Sequence, residues 1–136
     1  MDFFSEDVNF KLPDAAATRS WLQQVLRIEG GQEEELNYIF CSDDYLHKMN
    51  RQYLNHDTYT DIITFGYSEY PEPLEGDIYI SIDRVADNAR SLGVAFDEEL
   101  HRVMVHGLLH LLGYGDKDAA SKQKMREKED ACLSLR

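Results

Sequence analysis

At 136 residues the chain can bury one sizeable core without disulfide or metal staples and has no room for a second, so residues 1–136 are expected to form a single domain. Its 14 Lys and Arg against 26 Asp and Glu give a formal net charge of -12, which opposes nonspecific attraction to nucleic acid and to anionic membranes. Cys41 and Cys132 are too few for a disulfide framework, and an acidic start with no run of transmembrane length points to a soluble cytoplasmic protein with no membrane partner.

Leu12-Pro13-Asp14 opens a helix to about Ile28, with Trp21, Leu22, Val25 and Leu26 on one stripe and Gly30-Gly31 as its stop. After the charge run Glu33-Glu34-Glu35, Leu36, Tyr38 and Phe40 alternate with Asn37 and Ile39 and mark a strand. Ser42 then caps a helix whose Asp43 and Asp44 suit the positive end of the dipole, with Tyr45, Leu46, Met49 and Tyr53 facing inward. Strands are expected at Asp61–Phe65 and Gly76–Ile82, joined by a loop from Tyr70 to Gly76 because Pro71 and Pro73 cannot donate to a ladder. Asp83 caps a helix carrying Val85, Ala86, Ala89 and Leu92 to a stop at Gly93, and Asp97-Glu98-Glu99 begins the next. A last helix runs from about Asp118 to Leu133 with Met125, Glu129 and Cys132 on one side. Strands and helices mixed in this order, without an internal repeat, predict one α/β layer structure.

The helix begun at Asp97 carries the chemistry. Val103, Met104, Val105, Leu108, Leu109, Leu111 and Leu112 leave almost no polar face, so it is expected to be buried. His106 and His110 lie one turn apart on it, close enough for two imidazoles to meet one cation, and buried imidazoles need partners. Gly113 and Gly115 let the backbone reverse and offer Asp116 as a third ligand. Three ligands leave a position open for water, the mark of a catalytic rather than a structural zinc site, and hydrolysis is the economical inference. Metalloproteases of the HExxH type place a glutamate beside the first histidine, where this chain has Gly107. A general base then comes from Asp57, Asp61, Asp77 or Asp118, or metal hydroxide acts directly. The basic cluster Lys122, Lys124, Arg126 and Lys128 alternates with Glu127 and Glu129, as a solvated helix face does, and otherwise offers charge to a polyanion.

His106-Gly-Leu-Leu-His110-Leu-Leu-Gly-Tyr114 resembles the signature of the YbeY family of ribosomal RNA maturation factors, which are single-strand endoribonucleases. Asn50-Arg-Gln-Tyr53, Asp57-Thr-Tyr-Thr60-Asp61-Ile-Ile-Thr-Phe65 and Gly76-Asp77-Ile78-Tyr-Ile-Ser81 correspond in order to its other blocks. The resemblance implies a compact α/β (α+β) domain with a small mixed sheet of about four strands and a zincin-like metal helix. It also implies one bound zinc ion and a hydrolase role in trimming ribosomal RNA and in ribosome quality control, which makes His106, His110 and, in the place of the family's third histidine, Asp116 the expected catalytic ligands. The partners implied are single-stranded or ribosomal RNA, and ribosomal proteins or an assembly GTPase.

Two positions depart from the family pattern. Asp116 stands where a histidine is usual, which lowers the site's charge by one, makes its water less acidic and admits divalent ions other than zinc. Leu54 stands where an arginine is usual, with His56 in place of a lysine, so a guanidinium clamp for phosphate is lost and His56 is the local substitute. Asp57, Thr60, Asp61, Asp77 and Tyr114 are candidates to orient ligands or substrate. Two alternatives stay open: a noncatalytic, metal-stabilised ribosome assembly factor, suggested by the acidity and Leu54, and a metallopeptidase using an edge strand beside the histidine helix, against which Gly107 argues.

Overall fold

The computed structural model describes residues 1–136. The elements run β1 (Asp2–Ser5), α1 (Ala15–Ile28), β2 (Glu33–Cys41), α2 (Asp43–Leu54), β3 (Ile62–Gly66), β4 (Leu74–Ser81), α3 (Ile82–Leu92), α4 (Phe96–Leu111) and α5 (Ala119–Leu133). Four strands form one mixed sheet in the order β1-β2-β4-β3, with β2 parallel to both β1 and β4 and with β3 antiparallel to β4. The expected α/β class with a small mixed sheet is what the chain adopts.

Alternation along β2 and β4 decides which helix covers which face. Leu36, Tyr38 and Phe40 of β2 and Ile78 and Ile80 of β4 join one core with Trp21, Leu22, Val25 and Leu26 of α1, with Leu100, Met104 and Leu108 of α4, and with Met125 and Cys132 of α5. Each such aliphatic side chain, fully buried, contributes about 1.5–3 kcal/mol. Two buried hydrogen bonds lock the layers: Tyr38 Oη donates to Met104 O at 2.9 Å, and Trp21 Nε1 donates to Cys132 O at 2.7 Å. The opposite face carries a smaller cluster, Cys41, Leu46 and Ile63, with Tyr45 and Met49 of α2 packed on it.

Several boundaries differ from the sequence expectation, each for a tertiary reason. β1 has no amphipathic signal of its own and exists through parallel pairing of Asp2–Ser5 with Asn37–Phe40. The Glu33–Glu35 run belongs to β2, and β4 begins at Leu74 rather than Gly76, because these two segments pair with one another. Ser81, not Asp83, caps α3: its Oγ accepts from Arg84 N at 3.1 Å, so Ile82 falls in the helix. Tyr53 lies outside the inward face of α2, which buries Leu46 and Asn50 instead. No helix is long and apolar enough to cross a membrane.

Candidate metal centre

α4 lies against the sheet so closely that Gly107 is required by packing. A Cβ there would meet Ile62 Cδ1 at 2.8 Å and Ile78 Cγ2 at 2.9 Å, so even a methyl fits only if the helix or the sheet shifts, and the glutamate of an HExxH helix is harder still to place. From Glu99 to Leu111 no residue of α4 is exposed. His106 and His110, one turn apart, are half-buried with rings edge-to-face and centroids 4.6 Å apart.

The helix ends at Leu111, and Tyr114 N donates to Leu109 O at 3.0 Å as the chain reverses. Gly113 supplies the left-handed residue at φ +102°; Gly115 takes no positive φ. The reversal brings Asp116 back over the histidines, its Oδ2 3.4 Å from Nε2 of His106 and 3.4 Å from Nε2 of His110. The three ligand atoms all lie within 4.8 Å of one another. Donors about 2.1 Å from a tetrahedral zinc ion stand about 3.4 Å apart, so both edges running from Asp116 have the separation a shared ion demands.

Glu129 of α5 completes the arrangement. Its Oε2 lies 2.7 Å from His106 Nδ1, and its Oε1 accepts from Arg102 Nη1 at 2.9 Å while Arg102 Nη2 donates to Asp130 at 2.7 Å. Engaging Nδ1 fixes the ring and leaves Nε2 directed at Asp116, the arrangement by which carboxylates orient ligating histidines. Burial works against the His106 imidazolium, but Glu129, then Asp116 and Asp61, more than offset it, so its pKa is raised. Burial likewise opposes ionisation of Glu129, and His106 and Arg102 overcome it, leaving its carboxyl below the ordinary range. The sequence does not mark Glu129 as a site residue; its one signal is an acid on the α5 side that also carries Met125 and Cys132, and it is buried there rather than on the solvated face of the basic cluster.

Beside these donors lies a cavity of about 270 Å³, lined by Asp61, Glu99, Arg102, His106, Asp116 and Glu129. Burial raises the Asp61 carboxyl, partly offset by His106, and Asn88 Nδ2 donates to it at 3.4 Å. Burial also raises Glu99, with the charge of Asp61 adding to it. A larger depression of about 530 Å³, between α1 and the start of α4, contains none of His106, His110 and Asp116.

The other candidates sit elsewhere. Asp57 lies 2.8 Å from His47 Nε2, Thr60 Oγ1 donates to Ile62 O at 3.3 Å, and His56 is exposed. Asn50 holds this loop through Thr58 O at 2.9 Å. Asp77 accepts from Asn37 Nδ2 and Tyr67 Oη, at 3.1 and 3.0 Å. Tyr114 donates to Glu29 at 2.8 Å, and Asp118 caps α5 by accepting from Ser121 N at 2.8 Å. Of the four acids considered as general base, Asp61 alone opens onto the cavity.

The model of the family described as endoribonuclease YbeY matches residues 3–135. Endoribonuclease YbeY of Cytophaga hutchinsonii is 56% identical over 134 residues, spanning 98% of this chain and 94% of that protein. Endoribonuclease YbeY of Flavobacterium johnsoniae is 48% identical over 132 residues, spanning 97% of this chain and 94% of that protein. A solution structure from Thermotoga maritima superposes with a TM-score of 0.71 at 27% identity, covering 99% of this chain and 88% of that one.

Proposed function

Because the chain belongs to the endoribonuclease YbeY family, we propose that it is a metal-dependent single-strand endoribonuclease acting in ribosomal RNA maturation and ribosome quality control. The observation that carries the metal dependence is Asp116 equidistant from two imidazole nitrogens. Two nitrogens and one carboxylate oxygen suit zinc foremost and other divalent ions after it. His106, His110 and Asp116 would hold a divalent ion, which when bound would supply a Lewis acid for a phosphoryl oxygen and lower the pKa of a water.

The chain's residues do the rest. Glu129, itself held by Arg102, fixes the His106 ring, so this donor is oriented toward Asp116 by the fold. Asp61, its carboxyl raised by burial and open to the cavity, accepts the proton of the attacking water. Leu54, 43% exposed, offers a phosphodiester no hydrogen bond, so α2 supplies no guanidinium at the position where the family resemblance expects one.

Elemental analysis of purified protein is expected to give one divalent ion per chain, lost in a His106→Ala/His110→Ala variant together with cleavage of single-stranded RNA. Cleavage undiminished in that variant overturns the reading. Exposed Leu54 and Tyr53 favour a second role, docking on a ribosomal protein or an assembly GTPase. If metal-free variants still support ribosome maturation in cells, docking is the whole function.

A further inference from the structure

We propose that the cavity beside the metal centre is a nucleobase pocket in which Glu99 reads the Watson–Crick edge of a guanine adjoining the cleaved bond. The proposal rests on the endoribonuclease reading and adds to it a base preference and the residue that sets it.

Glu99 is the unpartnered acid of this cavity. Only 7% exposed, it lines the space, yet its carboxylate takes part in no hydrogen bond or ion pair. The first turn of α4 favours an acid at this position, and because the carboxylate oxygens are not sealed in the core they face the cavity, free to accept from an occupant. The other acids on the cavity wall have partners: Glu129 holds His106 and Arg102, Asp116 faces both histidines, and Asp61 has Asn88.

Three considerations select the occupant. A second cation is disfavoured, because the one set of three donors spaced to share an ion is His106, His110 and Asp116, and Glu99 is outside it. A phosphate is disfavoured by the acidic lining. A nucleotide whose phosphate sits at the metal donors therefore places its neutral base, not its backbone, against Glu99. Size and reach agree: 270 Å³ holds roughly nine waters at ~30 Å³ each, close to the roughly eleven heavy atoms of guanine. Glu99 precedes His106 by two turns on the same side of α4, about 10 Å along the axis. Ile62 and Val103 give the base apolar walls.

A carboxylate is an acceptor with two oxygens. Guanine alone among the RNA bases offers it two adjacent N–H donors, from N1 and the N2 amine, in the paired geometry that a guanidinium also presents. Cytosine and adenine offer an amine without a neighbouring donor, and uracil only an imino group. Reading this edge requires an unpaired base, consistent with a single-stranded substrate.

The test uses oligouridine RNA carrying one guanosine, or inosine, which lacks the N2 amine, with the metal-loaded protein. Wild type is expected to cut beside guanosine at least about 5-fold faster than beside inosine, the low end of the range for a bidentate base contact because inosine keeps N1–H and loses one of the two bonds. In Glu99→Gln the ratio of the two rates is expected to fall toward one. Because both rates come from the same preparation, the ratio is insensitive to how much protein is folded. Equal rates in wild type, or an unchanged ratio in the variant, overturn the pocket while leaving RNA cleavage intact. A second equivalent of bound Mn²⁺ that disappears in Glu99→Gln also overturns it, in favour of a cation site. If wild type cuts neither RNA, the endoribonuclease reading falls and this proposal falls with it.

Discussion

Gly107→Ala tests the contact on which the position of both histidines depends. The added methyl would lie 2.8 Å from Ile62 Cδ1, 2.9 Å from Ile78 Cγ2 and 3.4 Å from Thr64 Cγ2, so α4 or the sheet must give way. Inserting one methyl into a packed core costs about 1–3 kcal/mol. Alanine's helix propensity returns about 1 kcal/mol, so the net loss is about 0–2 kcal/mol. With an unfolding entropy of about 2.1 cal/mol/K per residue over 136 residues, each kcal/mol lowers Tm by about 3–4 °C.

The decisive measurement is a double-mutant cycle with Ile62→Val, which deletes the Cδ1 atom that the new methyl meets. Alone, in this half-buried position, Ile62→Val is expected to cost about 0.5 kcal/mol, the low end for this exchange. In the alanine background it is expected to restore stability, with a coupling of about 1 kcal/mol between two touching sites. Recovery is partial, since Ile78 Cγ2 remains in place. Four chemical-denaturation curves on metal-free protein give the cycle. Costs that add to within about 0.5 kcal/mol would refute the claim that Gly107 exists to seat the helix on the sheet.

Glu129→Gln keeps the shape of the His106 contact but removes its charge, so divalent-metal affinity is expected to fall about 10- to 100-fold in a chelator competition assay. Glu99→Gln is expected to stabilise the fold near pH 7. Burial raises the Glu99 pKa above its unfolded value, so what this group contributes is fully present below about pH 4 and is lost as pH rises through the raised pKa. Urea midpoints of the two proteins should therefore coincide near pH 4 and separate near pH 7, and a separation that is largest at low pH would contradict the assignment. Cys41 and Cys132 are buried, with burial pushing their thiols to about 12 and about 11, so a thiol reagent at pH 8 should label neither until urea unfolds the chain.

Much of the site was legible because its donors are local. His106, His110 and Asp116 fall within one helix and the turn that follows it, and helical periodicity with a glycine stop is enough to place them together. Glu129 and Asp61 were legible only as types, because they reach the centre from α5 and from the residue before β3. Tyr114 illustrates the converse: two residues from Asp116 in sequence, it bonds to Glu29 across the molecule. β1 was missed for the same reason, since its existence depends on a parallel partner more than thirty residues away.

By itself the sequence determined the α/β class, the order of the elements after β1 and the meeting of His106, His110 and Asp116, because side-chain periodicity, caps and turn glycines act over a few residues. Tertiary structure decided what surrounds those donors: that Glu129 orients His106, that Asp61 rather than Asp57, Asp77 or Asp118 opens onto the cavity, and that Gly107 is a packing requirement. Those outcomes depend on which faces of helix and sheet meet, a matter of long-range packing that no local pattern encodes.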